Sequence, residues 1–346
     1  MKPRSGILAG GIWIVDKLKL VDTYPQQDAL ANIHSESIGN GGSPFNILVD
    51  LANLGAEFPL AGVGLIGADA DGAWISSLCD RKHIDSTRLR THPTAHTSYT
   101  DVMTVQSTAR RTFFHQRGAN AYLDEGDFEF AACPAKIFHL GYLLLLDRLD
   151  MPDAAYGTVA AKVLQRAKDA GFQTSIDLVS EDGNRFKNVV MPALPYVDYC
   201  FLNEFEIERT TGVMVRHHNG IDLLGLEKAA RLLIKAGVQQ WVIVHFPEGA
   251  CAVGSDGPMR VQGGLAIPQS KIVGTVGAGD AFAAGALYAL HEGGSIESAL
   301  HYGACVATAC LGDTSASDGI RDVEKCLALE NDFGVLPFFA KSETRR

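Results

Sequence analysis

A strand and helix alternation runs through most of this chain, and it restricts the fold more than any other feature. Residues 6–15 read as a buried first strand and residues 58–66 as another, joined by a segment in which Phe45, Leu48, Val49 and Ala52 keep helical spacing. Ser43 followed by Pro44 offers the N-cap and first position of that helix, and Gly55 offers its stop. The rhythm continues with a helix within 152–170, strands at 172–176 and 197–202, a helix within 221–236 and a strand at 241–245. Helices between successive strands imply parallel strands, and a parallel sheet needs cover on both faces. Two stretches break the pattern. Residues 28–38 and 99–115 read as extended without intervening helices, the second as a hairpin around 107–110. The expected fold is a single α/β domain over 1–337: a three-layer α/β/α body with a largely parallel central sheet, and a small β-sheet lid from segments of about 16–40 and 96–118. Residues 338–346 are expected to be a frayed tail.

The 346 residues, 47% of them hydrophobic, are ample for a large core. A formal charge of −10 without any lysine- and arginine-rich run argues against a nucleic-acid partner. The longest apolar runs, such as 142–146, are far too short to span a bilayer, and the N-terminal residues lack a sustained apolar signal core. A cytoplasmic protein is expected. Seven cysteines, an odd number without CxxC spacing, suit buried small hydrophobes in a reducing compartment. His92 and His96 have a helical interval, but Pro93 lies between them, which argues against a zinc site.

The chemistry concentrates in residues 272–290, IVGTVGAGDAFAAGALYAL, read as a short apolar strand that turns into a small-residue helix. Gly277, Ala278, Gly279 and Asp280 lie at the turn. N–H groups at a helix start lack acceptors, the dipole adds positive potential, and glycines let backbone approach a phosphate. A carboxylate is electrostatically awkward beside such a turn unless it removes a proton from a hydroxyl attacking phosphorus. The plainer alternative is an ordinary strand-to-helix connection with Asp280 complementing the helix dipole.

The segment GTVGAGDAFAAG resembles the C-terminal signature of the ribokinase-like (PfkB) carbohydrate kinases. GGSPFNILVDLANLGAEFPLAGVGLIGADADG, residues 41–72, resembles their N-terminal signature, in the family's order and at roughly its spacing. The likeness runs from about Gly6 to about Asp318. It implies a ribokinase-like fold and transfer of the γ-phosphoryl group of ATP, with Mg²⁺, to a hydroxyl of a sugar or sugar derivative. By resemblance Asp280 is the catalytic base, the backbone from Gly277 through Ala278 and Gly279 is the anion hole, and Asp16, Gly42 and Asn46 fall on sugar-contacting positions. Asn203 and Glu206, in NEFE, resemble the N-x-x-E motif that positions magnesium and the triphosphate mostly through water. Two positions depart from the family. Pro247 interrupts the nucleotide loop, leaving Gly249 as its contact, and Gly274 stands where a carboxylate commonly helps bind a monovalent cation.

Read on their own, Gly41 and Gly42 let backbone approach a ligand, Asn46 can donate and accept at once, and Asp16 can grip two vicinal hydroxyls or simply serve a turn. Asn203 and Glu206 also fit a helix capping box, and Glu204 and Glu208 a solvated helix face. His115 offers a lid contact to the sugar and Arg117 one to a phosphate, against packed edge-strand positions with a snorkelled charge. Gly67, Asp69 and Gly72 match the family's G-x-D-x-x-G. The principal rival is Gly62, Gly64 and Gly67, a literal G-x-G-x-x-G that would suit an NAD-dependent oxidoreductase, although Asp85 sits poorly as its acid. A nucleoside kinase of the same family fits the same motifs. So does a non-catalytic sugar-binding relative, against which the intact Asp280 argues. Exposed lid edges make a homodimer through the lid a reasonable expectation.

Overall fold

The computed structural model describes residues 3–108 and 110–337. The chain begins with β1 (Ile7–Gly11), β2 (Ile14–Val21) and β3 (Ile33–Gly41), then α1 (Ser43–Asn53), β4 (Leu60–Gly67), α2 (Ala70–Arg81) and β5 (Asp85–His92). Next come β6 (Ser98–Val105), β7 (Arg111–Gln116), β8 (Ile137–Leu143), α3 (Val159–Asp169), β9 (Gln173–Leu178), α4 (Phe186–Ala193) and β10 (Tyr199–Asn203). The C-terminal part contains α5 (Glu204–Thr211), α6 (Leu223–Lys235), β11 (Trp241–Phe246), β12 (Gly249–Gly254), β13 (Arg260–Gly263), α7 (Ala278–His291), α8 (Ile296–Cys310) and α9 (Val323–Phe333).

A nine-stranded sheet has the order β13-β12-β11-β10-β9-β8-β1-β4-β5. Its strands from β11 to β5 are parallel, while β12 and β13 add antiparallel at one edge. Alternate residues of β1 enter opposite cores, as the two-residue period of a strand requires. Leu8 packs with α3, α4, α5 and α6, whereas Ile7 and Ala9 pack with α1, α2, α7 and α8. This gives the three layers. A separate four-stranded sheet, β3-β2-β6-β7, forms the lid, with β2 and β6 parallel and both outer pairs antiparallel.

The lid differs from the sequence expectation in where it starts. The apolar run 6–15 does not stay one strand: Ile12 N–H donates to Gly141 O at 3.0 Å, and Asn120 clamps Trp13 through both its backbone groups at 3.2 and 3.0 Å. The chain leaves the main sheet there, so Asp16 stands on lid strand β2 and not at the end of the first strand. The extended stretch expected at 28–38 becomes a strand only from Ile33 and continues to Gly41. The hairpin is β6 and β7, with Ala109 of its turn, like the expected tail 338–346, outside the described residues.

Helix α1 also starts earlier than expected. Gly42 is its N-cap, at φ 86°, and Ser43 and Pro44 are already helical. A side chain at 42 would meet Ile12 O, its Cβ only 2.4 Å away, so glycine turns the chain here. The Ser43 hydroxyl, released from capping, bonds His139 Nε2 at 2.8 Å.

The expected strand before Gly277 is irregular backbone, held by Val273 N–H on Leu311 O at 2.8 Å. The G-x-G-x-x-G run is packing. Gly62 and Gly64 lie inside fully buried β4, where a Cβ would come within 2.4 and 2.3 Å of the Trp13 ring. The N-terminus of α2 is filled by its own Asp69, which accepts from Gly72 N–H at 2.9 Å, leaving no seat there for a pyrophosphate.

Candidate active site

The carboxyl ends of the parallel strands converge beneath the lid, the position where open α/β sheets hold ligands. Gly277 begins α7 in the left-handed conformation at φ 74°, and a side chain there would run into Ala316, its Cβ 2.7 Å from Ala316 Cβ. Glycine therefore permits both the turn and the close loop behind it. Ala278, Gly279 and Asp280 form the first helical turn, whose N–H groups have no intrahelical acceptor. On one side of that turn lies a cavity of about 620 Å³ lined by Ala278, Gly279, Gly249, His245, Ala304 and Thr308. On the other side is a buried polar cluster.

Asp280 is the centre of the cluster. Its Oδ2 accepts from Asn46 Nδ2 at 2.7 Å and from the Tyr142 hydroxyl at 2.5 Å. Asn40 Nδ2 donates to Asn46 Oδ1 at 2.7 Å, which fixes the amide so that Asn46 presents its own N–H₂ to Asp280. Burial raises the Asp280 carboxyl above its ordinary range, and hydrogen bonds from Asn46, Tyr142 and Ser43 oppose that rise. Asp50, on the inner face of α1, accepts from Ser317, and its Oδ2 has no partner among the described residues. Burial drives its carboxyl well above the usual range.

The lid contributes a row of side chains on one face. Gly39, Asp16, Thr100 and His115 stand opposite one another across the four strands. Thr100 Oγ1 bonds His115 Nδ1 at 3.0 Å. Burial pushes the Asp16 carboxyl up to about 7 and pushes the His115 imidazole down to about 4, so the ring is neutral. Gly41 ends β3 against Asp16, leaving room for a carboxylate that would overlap any side chain at 41.

Arg117, expected to meet a phosphate, instead donates to Leu145 O at 2.8 Å and pairs with Asp147 at 3.4 Å. The arginine beside the Gly277 turn is Arg111. It starts β7, two positions before Phe113 and four before His115 on the same face, and its Nη2 reaches Thr275 Oγ1 beside the turn. Its Nη1 is buried and has no partner among the described residues. Neither Tyr142 nor Arg111 lies in a motif that marks it in the sequence. The two-residue period of β7 contains the signal for Arg111, because it aligns residues 111, 113 and 115.

Asn203 and Glu206 form a complete capping box at the start of α5. Asn203 N–H donates to Glu206 Oε2 at 2.8 Å, and Glu206 N–H donates to Asn203 Oδ1 at 2.9 Å. Glu206 Oε1 also accepts from Ser180 at 2.8 Å, and burial pushes this carboxyl up to about 7. Glu204 and Glu208 are not solvated face residues. Glu204 pairs with Arg216 at 2.9 Å, and Glu208 accepts from the backbone N–H of Val215 and Arg216.

A family model for the pfkB family carbohydrate kinases matches residues 12–322. Among relatives, a 5-dehydro-2-deoxygluconokinase of Halalkalibacterium halodurans is 26% identical over 84% of both chains. An ATP-dependent ribose-1-phosphate kinase of Halopiger xanaduensis is 25% identical over 91% of this chain and 93% of that protein. The structure of Arabidopsis thaliana ribokinase complexed with ribose and ATP superposes with a TM-score of 0.75, at 23% identity, over 95% of this chain and 99% of that one. With the family model spanning both the lid and the turn at Asp280, the chain belongs to the pfkB family of carbohydrate kinases.

Proposed function

We propose that this kinase transfers the γ-phosphoryl group of ATP to a hydroxyl of a sugar or sugar derivative bound between Asp280 and the lid. One observation carries the reading. The turn from Gly277 to Asp280 is a wall, with a nucleotide-sized cavity against Ala278 and Gly279 and the Asn46, Asp16 and Tyr142 cluster on the Asp280 side. The acceptor hydroxyl gives its proton to Asp280 as its oxygen bonds the γ-phosphorus and the bond to the ADP oxygen breaks. The N–H groups of the turn and Arg111 meet the charge on the transferring group. Gly249 lines the nucleotide cavity, and Gly41, Gly42 and His115 frame the sugar side.

Magnesium supplies charge neutralisation on the triphosphate in such a reaction. Glu206 fits it only through water, because both carboxylate oxygens already accept hydrogen bonds from Asn203 or Ser180. Magnesium commonly keeps several waters, so Asn203 and Glu206 suffice as anchors of that shell. A monovalent cation beside the turn would have backbone carbonyls alone to hold it, and weakly. Gly274 has no carboxylate, and the space for one is taken by backbone, with Asp313 O 2.5 Å from where Cβ would stand. The rate in buffer free of potassium and sodium is expected to lie within a few-fold of the rate with potassium added. Strong, saturable activation would overturn this. The Gly274→Asp replacement is a poor test, since its side chain collides with the 313–314 backbone.

The decisive experiment is an ATP-consumption screen over hexoses, pentoses, sugar acids, phosphosugars and nucleosides, with no turnover on any of them counting against the reading. Nucleosides belong in it because Phe113, on the His115 face of the lid, keeps its ring 56% exposed and free to stack on a base. Asp16→Ala is expected to raise the KM for the sugar by about 5- to 150-fold, the loss of roughly 1–3 kcal/mol of hydrogen bonding, with the nucleotide KM unchanged. Asn46→Ala is expected to lower kcat as well, because Asn46 also holds the base. A shift in the nucleotide KM alone would remove both residues from the sugar pocket.

All seven cysteines are buried and free, which suits the reducing cytoplasm. Among the described residues no helix is long and apolar enough to cross a membrane. Ile33, Ile38 and Phe114 on the lid are 51–52% exposed, and we place a homodimer contact there.

A further inference from the structure

The two oxygens of Asp280 are unequally served. Oδ2 has two donors, Tyr142 and Asn46, whereas Oδ1 is buried and has none among the described residues. Beside Asp280 stands Asp177, near enough that each carboxyl acts on the proton affinity of the other. Asp177 is 4% exposed and sits between Ile176, paired with Leu140, and Leu178, paired with Leu143, so that it lies level with Gly141 and Tyr142 where β8 carries one extra residue. Its Oδ1 already accepts from Leu178 N–H at 2.8 Å, which leaves the other oxygen for Asp280.

Two ionised carboxylates only accept, so they cannot hydrogen-bond each other. A contact of this kind holds one proton. The surroundings decide which residue carries it. Asp280 has Asn46 and Tyr142 donating to it and the Ser43 hydroxyl close by, all favouring its ionised form, while Asp177 has a single backbone donor and faces the charges of Asp280 and Glu206. Asp16 and Asp50 add further negative charge around Asp280 when ionised. Burial and these neighbours lift the Asp177 carboxyl well above its ordinary range. The cation that the lid brings to the anion turn, Arg111, is engaged there on Thr275.

We propose that Asp177 is a positioning residue for the base: as a carboxylic acid it donates to Asp280 Oδ1, completing the donor set that keeps Asp280 ionised and fixed in orientation. The inference rests on Asp280 being the base. A hydrogen bond to the charged form lowers its pKa, so the neutral acid at 177 keeps Asp280 able to accept a proton at lower pH than burial alone would allow. An asparagine at 177 retains a donor, and an alanine does not.

The test is the pH dependence of kcat with saturating sugar, ATP and magnesium. Asp177→Ala is expected to shift the acid limb upward by about one pH unit, with about a tenfold loss of kcat on that limb. Asp177→Asn is expected to restore the limb to its wild-type position and most of kcat, with the magnesium half-saturation unmoved. A limb that moves down in Asp177→Ala would show an ionised, repelling Asp177 and overturn the proposal. So would an asparagine variant as impaired as alanine, or one that needs much more magnesium, which would make Asp177 a charged anchor of the metal shell. Infrared difference spectroscopy of wild type against Asp177→Asn adds a readout that does not require the alanine variant to fold. A protonated-carboxyl band at neutral pH lost in the variant supports the proposal, and its absence overturns it. Failure of the base assignment is distinguishable, because it appears as a near-wild-type Asp280→Asn whatever the Asp177 variants do.

Discussion

Asp280→Asn is expected to lower kcat by about 10²- to 10⁴-fold, the span for loss of a general base, while ATP still binds. The substitution preserves the shape of the side chain and leaves a carbonyl oxygen able to accept from Asn46 Nδ2 and the Tyr142 hydroxyl, so the cluster on the sugar side keeps its donors satisfied. What disappears is the basic lone pair. The nucleotide cavity touches Ala278 and Gly279 and not the Asp280 carboxylate, so calorimetric ATP affinity is expected to remain within a few-fold of wild type. Wild-type turnover should itself fall as pH drops through the raised pKa of Asp280, since only the ionised form can take the hydroxyl proton. Asp280→Asn should lack that limb. Turnover within a few-fold of wild type in a pure preparation would remove Asp280 from the role of base.

Much of the architecture is readable in the sequence because its signals are local. Helical spacing at Phe45, Leu48 and Val49, and apolar strand runs such as 241–245, mark elements regardless of their tertiary neighbours. The break at Ile12 and Trp13 is not readable. The run is apolar throughout, and what ends the strand is a clamp from Asn120, 107 residues away in sequence. The same distinction applies in the site. Asn46 and Asp280 lie in recognisable glycine-rich motifs, and the structure brings them within 2.7 Å across 234 residues. Tyr142 and Asp177 occur at strand ends with no motif around them, and only the parallel order of β8 and β9 brings them to Asp280. Of the two readings offered by the spacing of Asn203 and Glu206, the structure shows the helix cap.

Arg111→Met is expected to lower kcat by about 10²- to 10³-fold, the scale for losing a preorganised donor at a site of developing charge. The guanidinium crosses from the lid to Thr275, three residues before Ala278, and presents Nη1 in a buried position with no partner among the described residues. An unpaired buried cationic nitrogen is unfavourable in the protein alone, and an anion at the turn would satisfy it. Burial lowers the guanidinium pKa without approaching neutrality, since arginine stays charged in proteins. Because the guanidinium stands on lid strand β7, an open lid would carry it away from the turn, and closure would bring in the charge and exclude water together. The loss should therefore fall on kcat more than on either KM. Arg111→Lys should recover part of it, as a point charge without the planar fork that engages two oxygens at once. Single-turnover rates for wild type and both variants check the assignment. A methionine variant whose chemical step stays within about threefold of wild type would mean that Arg111 only latches the lid, and the anion turn would then act through its backbone N–H groups alone.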